Sequence, residues 1–533
     1  MLFLTACLQR AANAQTPAPS RTDWINDTQL YVYTADNSTN SPLQNPVLFV
    51  EGFDLYNDMN WEELYTLFNQ ANLIEELRQQ GRDVLIMNYA DATRKVWNNS
   101  LKTRAVINYI NSIRSSLGPD NKFTVIGVSM GGLTTRLALD YMEEEGDPHY
   151  VDTWISFDAP HEGANAPLSL QFYADFFLPF QYLSTDFLPM VELWNALNSL
   201  AAQELLLVHS SASDDAAAGA RPSAFRSRLI SLLDEKGYPA DCKKISISNG
   251  SGFGEKHPIS PGEKIIHWEN PLLPWIDTDI YTLPQTTGDP DIDSNQTAFE
   301  GLFYIYEGGE TVQNSHFALS LDNAPGGTSD MFGQLYAMLN YIDDNDFCTY
   351  SNHCFVPTVS ALGIPIEQLD ANLSEYPDLL ALTPFDEIHY AVENEPHIEI
   401  NARNKRWFMR AILEDIDSDE DGLDDYQEYA IGTDYTEADS DLQVETRLDS
   451  APAAEITKRM STDGSSMNSV TVSYNALQNI QYSIWFTESL EQPWTLLDTI
   501  PASSNSLMVN TYVITNASGY FQTTGEWIDP VTD

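Results

Sequence analysis

The sequence predicts an α/β fold for residues 15–412, built on a parallel sheet with helices on both faces. Continuous apolar runs typical of buried strands alternate there with amphipathic stretches, and glycines stand at several of the junctions. The chain has 533 residues, enough for about two to four domains. Because 43% of these residues are hydrophobic, the chain can bury a sizeable core.

The alternation is clearest between residues 45 and 160. Four runs predict strands: NPVLFVEGF, RDVLIMNY, KFTVIG and DTWISFDAP. Three stretches between them predict helices: WEELYTLFNQANLIEELRQQG, LKTRAVINYINSIRSSLG and LTTRLALDYMEEEG. Gly81 fits a C-terminal cap of the first helix.

Residues 164–240 interrupt this alternation with an aromatic-rich stretch of helical period. The stretch follows the fourth strand, at the sheet edge where α/β proteins bind ligands. We therefore expect an insertion that forms either additional core helices or a cap over a site. The run CKKISISNGSG then returns to a strand.

The segment VIGVSMGGL contains a G-x-S-x-G motif centred on Ser129. The motif alone is common, and its context decides between a nucleophile and an ordinary Gly-rich loop. Here a predicted strand precedes it and a predicted helix follows, as a strained nucleophile turn requires. Gly127 and Gly131 fit this interpretation, because side chains at those positions would clash in so tight a turn.

A nucleophilic serine requires a general base and donors that stabilise the oxyanion. The backbone N–H of Met130, directly after Ser129, predicts one donor. The segment VLFVEGFD follows an early strand, and Gly52 permits a turn that would direct the N–H of Phe53 to the same acyl oxygen.

These segments resemble the α/β-hydrolase superfamily, in particular secreted bacterial lipases and esterases. PVLFVEGF is similar to the family's PVVLVHGF, with Glu51 in place of the usual His. VIGVSMGGLTTR resembles the nucleophile turn, and ISFDAPHEGA resembles GTPHRG, which implies a structural role for His161. The resemblance covers residues 46–401 and implies a Ser-His-Asp triad that cleaves carboxylic esters.

In this fold the chain order is serine, acid, histidine. His397, in FDEIHYAVENEPHIEI, resembles the base of bacterial lipases and is the preferred candidate, ahead of His316 and His353. SNHCFVPTVSALG resembles SNDGLVGTCSSHLG, whose Asp is the triad acid, but His353 occupies that place. The acid is then Asp158, as in families with a GLDPA segment, or Asp346.

Residues 413–441 form an acidic segment with the spacing of a calcium loop. Oxygen ligands at relative positions 1, 3, 5, 7, 9 and 12, with a turn glycine at 6, suit Ca²⁺. The corresponding residues are Asp417, Asp419, Asp421, Gly422, Leu423, Asp425 and Glu428. The segment also resembles thrombospondin type 3-like repeats, with a partial second site at Asp434, Asp439 and Asp441. The alternative is a disordered acidic linker. We expect Ca²⁺ to be structural and catalysis to need no cofactor.

Residues 442–533 alternate apolar and polar positions and predict a small antiparallel β-sandwich. This part resembles the fibronectin III-like domains appended to secreted enzymes. That resemblance implies a spacer or a domain that binds a surface or polymer.

The chain is strongly acidic, with 78 Asp and Glu against 26 Lys and Arg and a net charge of −52. A polyanion repels nucleic acid and anionic membranes, so neither is an expected partner. The charge suits a solvated surface in high salt. We find no run of about 18 apolar residues, and thus expect no transmembrane segment.

Residues 1–14 resemble the end of a secretory signal, which predicts a secreted protein; a lipobox around Cys7 is the minor alternative, with lipid anchoring in the cell envelope. Cys348 and Cys354 lie close in sequence, and in an oxidising compartment we expect a disulfide between them. Cys242 is then a buried free thiol.

Together these features predict a secreted serine hydrolase acting through an acyl-enzyme. The aromatic insertion favours an apolar acyl chain or a polymeric ester, and thus a lipase, esterase or polyesterase. An acyltransferase or amidase on the same fold is one alternative. A non-catalytic, calcium-dependent surface-binding protein is the other.

Overall fold

The computed structural model describes residues 16–54, 59–118, 121–182, 188–212, 222–269, 276–282, 296–303, 306–312, 321–339 and 345–414, and six strands between residues 453 and 527. The chain divides into two compact units, Met1–Asn401 and Ala402–Asp533. The predicted signal at 1–14, Cys7 and all predicted calcium ligands lie outside the described residues.

The first unit is organised by an eight-stranded mixed sheet. Its strands are β1 (Arg21–Ile25), β2 (Thr28–Tyr33), β3 (Val47–Val50), β4 (Val84–Asn88), β5 (Thr124–Val128), β6 (Thr153–Phe157), β7 (Lys243–Ser251) and β15 (Glu387–Ala391). Their spatial order is β1-β2-β4-β3-β5-β6-β7-β15. From β4 to β15 all neighbours are parallel, whereas β1 and β2 add an antiparallel hairpin that we did not predict. This mixed sheet fits the expected α/β-hydrolase arrangement.

Eleven α-helices are described. They are α1 (Trp61–Phe68), α2 (Leu73–Gln79), α3 (Val96–Ile113), α4 (Met130–Glu145), α5 (Leu168–Phe177), α6 (Leu188–Leu197), α7 (Leu200–Leu205), α8 (Ala224–Lys236), α9 (Met331–Met338), α10 (Thr358–Ala361) and α11 (Ala402–Leu413). Short 3₁₀ turns cover Gln70–Asn72, Leu178–Phe180, Ser210–Ala212, Ile366–Gln368, Leu373–Glu375 and Leu379–Leu382.

The single helix predicted before Gly81 is in fact two helices. Ala71 and Asn72 have φ angles of 51° and 68°, which interrupt the α-helix between α1 and α2. The Asn69 side chain accepts the N–H of Glu75 at 3.2 Å and supports the break. Asparagine tolerates the left-handed conformation better than most residues, and the apolar period does not reveal such a break.

Helices cover both faces of the sheet. Phe49 in β3 stacks on Phe68 of α1, with ring centroids 5.2 Å apart. Its neighbours Leu48 and Val50 point to the opposite face and join a buried cluster with residues of α3 and α4. Successive strand residues alternate between faces, so the continuous apolar run of β3 reflects burial on both sides.

The insertion packs against a second sheet that the sequence analysis did not identify. This antiparallel sheet has the order β11-β10-β9-β8-β13. Its strands are β8 (Lys264–Glu269), β9 (Ile276–Tyr281), β10 (Gln296–Phe303), β11 (Tyr306–Val312) and β13 (Phe347–Cys348). Tyr173 and Phe176 of α5 contact Phe299 of β10 at ring-centroid distances of 5.9 and 5.3 Å. No described helix is long and apolar enough to cross a bilayer.

Two further groups of strands complete the described chain. In the first unit, β12 (Gly326–Ser329) pairs with β14 (His353–Pro357). The second unit contains α11 and two three-stranded antiparallel sheets, ordered β16-β17-β20 and β19-β18-β21. These strands are β16 (Ala453–Met460), β17 (Ser466–Ala476), β18 (Ile480–Thr487), β19 (Thr495–Pro501), β20 (Ser506–Ile514) and β21 (Tyr520–Trp527). The sandwich packing of the two sheets stays a prediction.

The predicted disulfide between Cys348 and Cys354 is wrong, since both are free thiols. Cys348 lies in β13, which pairs with β8, whereas Cys354 lies in β14, which pairs with β12. Strands of two different sheets therefore hold the two thiols apart despite their closeness in sequence. Cys242 is buried and free, as expected.

Two buried histidines predict that acid destabilises the first unit. Burial lowers the pKa of His257 to about 4 and that of His353 to about 3. The unfolded chain takes up these protons near pH 6.5 and the folded chain does not, so the stability that these two groups contribute falls as pH drops below 6.5. Each histidine contributes a slope of about 1.4 kcal/mol per pH unit.

Urea unfolding between pH 7.5 and 5 tests this expectation. His353→Asn should make the pH dependence shallower by about that amount. Phe332→Leu is the matched control, because Phe332 packs edge-on against the His353 ring at 5.3 Å. It should lower stability equally at every pH; an unchanged slope in His353→Asn would contradict the prediction.

Candidate active site

Ser129 lies at the turn between β5 and α4, at the carboxyl edge of the main sheet. Its backbone φ of 53° and ψ of −124° are rare for a residue with a side chain, and such strain is typical of functional turns. The Ser129 N–H donates to the carbonyl oxygen of Phe157 at 2.9 Å, which ties the turn to β6. The serine is thus held at the N-terminus of α4.

The glycines on either side of Ser129 allow this turn to pack closely. A Cβ on Gly127 would lie 2.5 Å from the carbonyl oxygen of Gly131. A Cβ on Gly131 would lie 2.7 Å from the carbonyl oxygen of Glu51. Side chains are therefore excluded at both positions. At Gly127 the obstacle is the turn and the first residues of α4, whereas at Gly131 it is the end of β3.

His397 bridges Ser129 and Asp158. Its Nε2 lies 2.9 Å from Ser129 Oγ, and its Nδ1 lies 2.6 Å from Asp158 Oδ2. A carboxylate only accepts, so Nδ1 carries the proton and Nε2 is free to accept the serine proton. The His397 N–H donates to the Thr328 carbonyl oxygen at 2.9 Å, and Phe355 packs against the ring at 4.9 Å between centroids.

Asp158 is fully buried at the end of β6. Its Oδ1 accepts the backbone N–H of Asn249 at 3.1 Å, which leaves Oδ2 directed at His397. A Cβ on Gly327 would approach the Asp158 Cγ to 3.1 Å, so β12 also packs directly on the carboxylate. Residues of β7, of β12 and of the loop that carries His397 therefore hold the Asp158 carboxylate in position.

The alternative residues lie elsewhere or outside the described chain. The Asp346 carboxylate accepts the backbone N–H of Glu269 at 2.8 Å, at the second sheet. The His353 Nδ1 donates to the carbonyl oxygen of Cys354 at 2.7 Å. His316 is not among the described residues. The structure thus brings Ser129, His397 and Asp158 together and none of the described alternatives.

Both expected oxyanion donors border the same site. Met130 is the first residue of α4, so its N–H has no partner within the helix. On the opposite side, a Cβ on Gly52 would lie 3.0 Å from Ser129 Cβ, which places the Gly52–Phe53 segment against the nucleophile. Glycine at position 52 makes this close approach possible.

A cavity opens beside Ser129 and His397. Most of its wall is apolar, and the insertion contributes a substantial part of that wall. Lining residues include Phe53, Leu67, Phe68, Ala164, Ala202, Leu205, Leu206, Phe355 and Ile398. The polar residues Glu51 and Asp54 also line it. An apolar cavity with few polar groups is the usual form of a small-ligand site.

Sequence reasoning missed two residues that hold the histidine. The Asn249 side-chain amide donates to the carbonyl oxygens of Pro396 and Glu399, at 2.7 and 2.9 Å, and shapes the loop around His397. Phe355 shields the imidazole. Asn249 lies in β7 and Phe355 lies in β14, and no motif distinguishes them from ordinary sheet residues.

His161 is buried behind the site, where its Nε2 lies 2.7 Å from Ser156 Oγ. Burial lowers the pKa of His161 well below its ordinary value, with the nearby Arg136 and Arg226 acting in the same direction. The ring packs against Trp154, Tyr238 and Phe385. The neutral, enclosed imidazole suits a structural residue.

Among the described residues, one group has its potential metal-ligating atoms within 4.8 Å of one another: His267, Asp277 and Asp279. The His267 Nδ1 already lies 2.7 Å from Asp279 Oδ1, and Lys264 forms an ion pair with the same Asp279 carboxylate. These contacts account for much of the cluster without a metal. The predicted calcium ligands lie outside the described residues.

No protein-family model matches the sequence, and no curated protein matches it either. Local structural similarity exists to Est1E from Butyrivibrio proteoclasticus, with 16% identity and a TM-score of 0.19. XC6422 from Xanthomonas campestris, described as an α/β serine hydrolase without lid, has 16% identity to this chain and a TM-score of 0.20. An esterase from Pyrobaculum calidifontis has 15% identity and a TM-score of 0.25.

These alignments cover 25%, 28% and 41% of this chain, in the same order. The chain spans 46%, 65% and 62% of the three proteins' own lengths. At such TM-scores the similarity carries no weight for function, which has to follow from the geometry around Ser129.

Proposed function

We propose that this chain is a secreted serine hydrolase that cleaves carboxylic esters through a Ser-His-Asp triad. The observation that carries the proposal is the hydrogen-bonded chain from Ser129 through His397 to Asp158. The strained backbone of Ser129 and the burial of Asp158 support the proposal, because both hold their side chains toward the His397 ring.

Each triad residue has a distinct role in acylation. Ser129 Oγ attacks the acyl carbon while His397 Nε2 takes the hydroxyl proton. Asp158 holds the tautomer that makes this possible and stabilises the imidazolium that forms. The N–H groups of Met130 and Phe53 stabilise the oxyanion of the tetrahedral intermediate. When the intermediate collapses, the imidazolium returns its proton to the leaving alcohol.

Deacylation reverses the sequence with water as the nucleophile. His397 removes a proton from water, whose oxygen attacks the ester carbon of the acyl-serine. The second tetrahedral intermediate expels Ser129 Oγ, which recovers its proton from His397. The products are a carboxylic acid and the free enzyme, so no metal or organic cofactor is needed.

The apolar cavity beside Ser129 favours an ester with an apolar acyl chain. Its walls come from the loop after β3, from α1, and from the inserted segment around α7. In this proposal the insertion acts as a cap over the acyl chain. Ester lipids and polymeric esters are the substrate classes that fit such a wall.

Labelling with a fluorophosphonate tests the triad. Wild-type protein should be labelled and should hydrolyse a p-nitrophenyl ester. Ser129→Ala should abolish both activities, and His397→Ala should remove nearly all label. Asp158→Asn should lower kcat by about 10⁴-fold, as for the orienting Asp of other serine triads.

Matched variants separate chemistry from folding. Asp346→Asn removes the alternative acid and should keep wild-type kcat. Absence of label on folded wild type would contradict the hydrolase proposal and favour the non-catalytic, surface-binding alternative. Product analysis with an added alcohol separates hydrolysis from acyl transfer, and a parallel amide substrate tests amidase activity.

Blocking the cavity should change the preferred acyl length. Ala202 is buried in α7 and lines the cavity, whereas Leu200 in the same helix is 40% exposed. Ala202→Trp should lower the ratio of kcat/KM for octanoate esters to kcat/KM for acetate esters at least 10-fold. Leu200→Trp, the matched control, should leave this ratio unchanged. Wild-type activity that falls steadily from acetate to longer esters would contradict the cap role.

The proposed structural Ca²⁺ site comprises Asp417, Asp419, Asp421, the carbonyl of Leu423, Asp425 and Glu428. Ca²⁺ should raise the Tm of the full chain, and EDTA should reverse the effect. Asp421→Asn should weaken Ca²⁺ binding at least 10-fold in calorimetric titration; Asp370→Asn, outside the segment, should not. Equal Ca²⁺ affinity in both variants would overturn the site.

A further inference from the structure

A carboxyl group that the triad does not use is buried next to the nucleophile. Glu51 directly follows β3 and is 1% exposed. It borders the same cavity as Ser129 and His397. It also directly precedes the Gly52–Phe53 segment to which the proposed function assigns an oxyanion donor.

The Glu51 side chain connects two strand ends. Its Oε1 accepts the backbone N–H of Tyr89, the residue that follows β4. Its Oε2 is buried and has no hydrogen-bond partner among the residues that the structure describes. A buried ionised carboxylate with a single neutral donor is costly, whereas a neutral acid in the same place loses much less.

Among the described residues, the groups around Glu51 do not compensate a negative charge. The titratable neighbours are Asp54 in the same loop, Tyr31 in β2 and Tyr89. Burial, reinforced by the Asp54 carboxylate, raises the pKa of Glu51 well above its ordinary value. Burial also raises the pKa values of Tyr31 and Tyr89, so both phenols are neutral near pH 7.

The backbone of Glu51 is part of the contact that shapes the site. Its carbonyl oxygen occupies the space that a Cβ on Gly131 would enter, and Gly52 lies against Ser129. A shift of the Glu51 side chain would therefore move the peptide that carries the Phe53 N–H.

We infer that Glu51 is a positioning residue: as an uncharged acid, it anchors the Gly52–Phe53 segment to the end of β4 and holds the Phe53 N–H against Ser129. This inference rests on the proposed ester hydrolysis and adds a residue to it. An ionised Glu51 would instead place a second negative charge beside the developing oxyanion.

Steady-state kinetics compares Glu51→Ala with Glu51→Gln. Glutamine is neutral and its Oε1 can accept the Tyr89 N–H, so it should recover most of the kcat that alanine loses. We expect Glu51→Ala to lower kcat at least 10-fold with little change in KM. Leu48→Ala, in the same buried strand, is the control and should lower stability without lowering kcat.

Unfolding equilibria test the uncharged state without any activity measurement. The folded-state pKa lies above the unfolded value, so the stability that Glu51 contributes falls as pH rises above about 4.5, until the folded pKa is reached. Glu51→Gln lacks this titration. The unfolding constant of wild type, divided by that of Glu51→Gln, should therefore rise with pH above about 4.5, by up to about tenfold per pH unit, until the folded-state pKa is reached.

Each outcome decides one point. A pH-independent ratio of unfolding constants would show that Glu51 is ionised and overturn the inference. So would wild-type kcat in Glu51→Ala, or a Glu51→Gln variant as impaired as Glu51→Ala. Failure of wild type to react with a fluorophosphonate would instead reject the proposed hydrolase, while the unfolding measurement still reports the charge of Glu51.

Discussion

The site depends on the close approach of the end of β3 to the first turn of α4. Val50 pairs in register with Gly127, so the chain leaving β3 passes directly over the turn that carries Ser129. Gly131 leaves room for the Glu51 carbonyl oxygen, and Gly52 leaves room for Ser129. A methyl group at either place would push the Gly52–Phe53 segment, which carries one of the proposed oxyanion donors, away from the nucleophile.

Hydrogen-bond partners distinguish the two buried carboxyl groups near this contact. Asp158 is fully enclosed yet accepts hydrogen bonds at both oxygens, from the Asn249 N–H and from His397. Glu51 is also buried, but its Oε2 has no hydrogen-bond partner in the described part of the chain, and burial raises its pKa. Two carboxyl groups near one serine therefore suit different tasks, because their hydrogen-bond partners differ.

In the described part of the first unit, the triad residues and the cavity wall come from different kinds of structure. Ser129 and Asp158 both follow parallel strands, which fixes their spacing through the register of β5 and β6. The cavity wall, in contrast, comes largely from loops and from the insertion, including Ala164 and Leu206. In the proposed function, residues at the strand ends perform the chemistry, and residues of the insertion discriminate among acyl groups.

The sequence alone determined the strand–turn–helix around Ser129, the alternation of the central strands and the order in which the candidate triad residues occur. These features are local, because apolar period and glycine spacing report directly on backbone geometry. It could not show that His397 reaches Asp158 and not Asp346, that Cys348 and Cys354 belong to different sheets, or that Asn249 shapes the histidine loop. Those relations join residues far apart in the chain or in different sheets, and only the packed tertiary structure sets their distances.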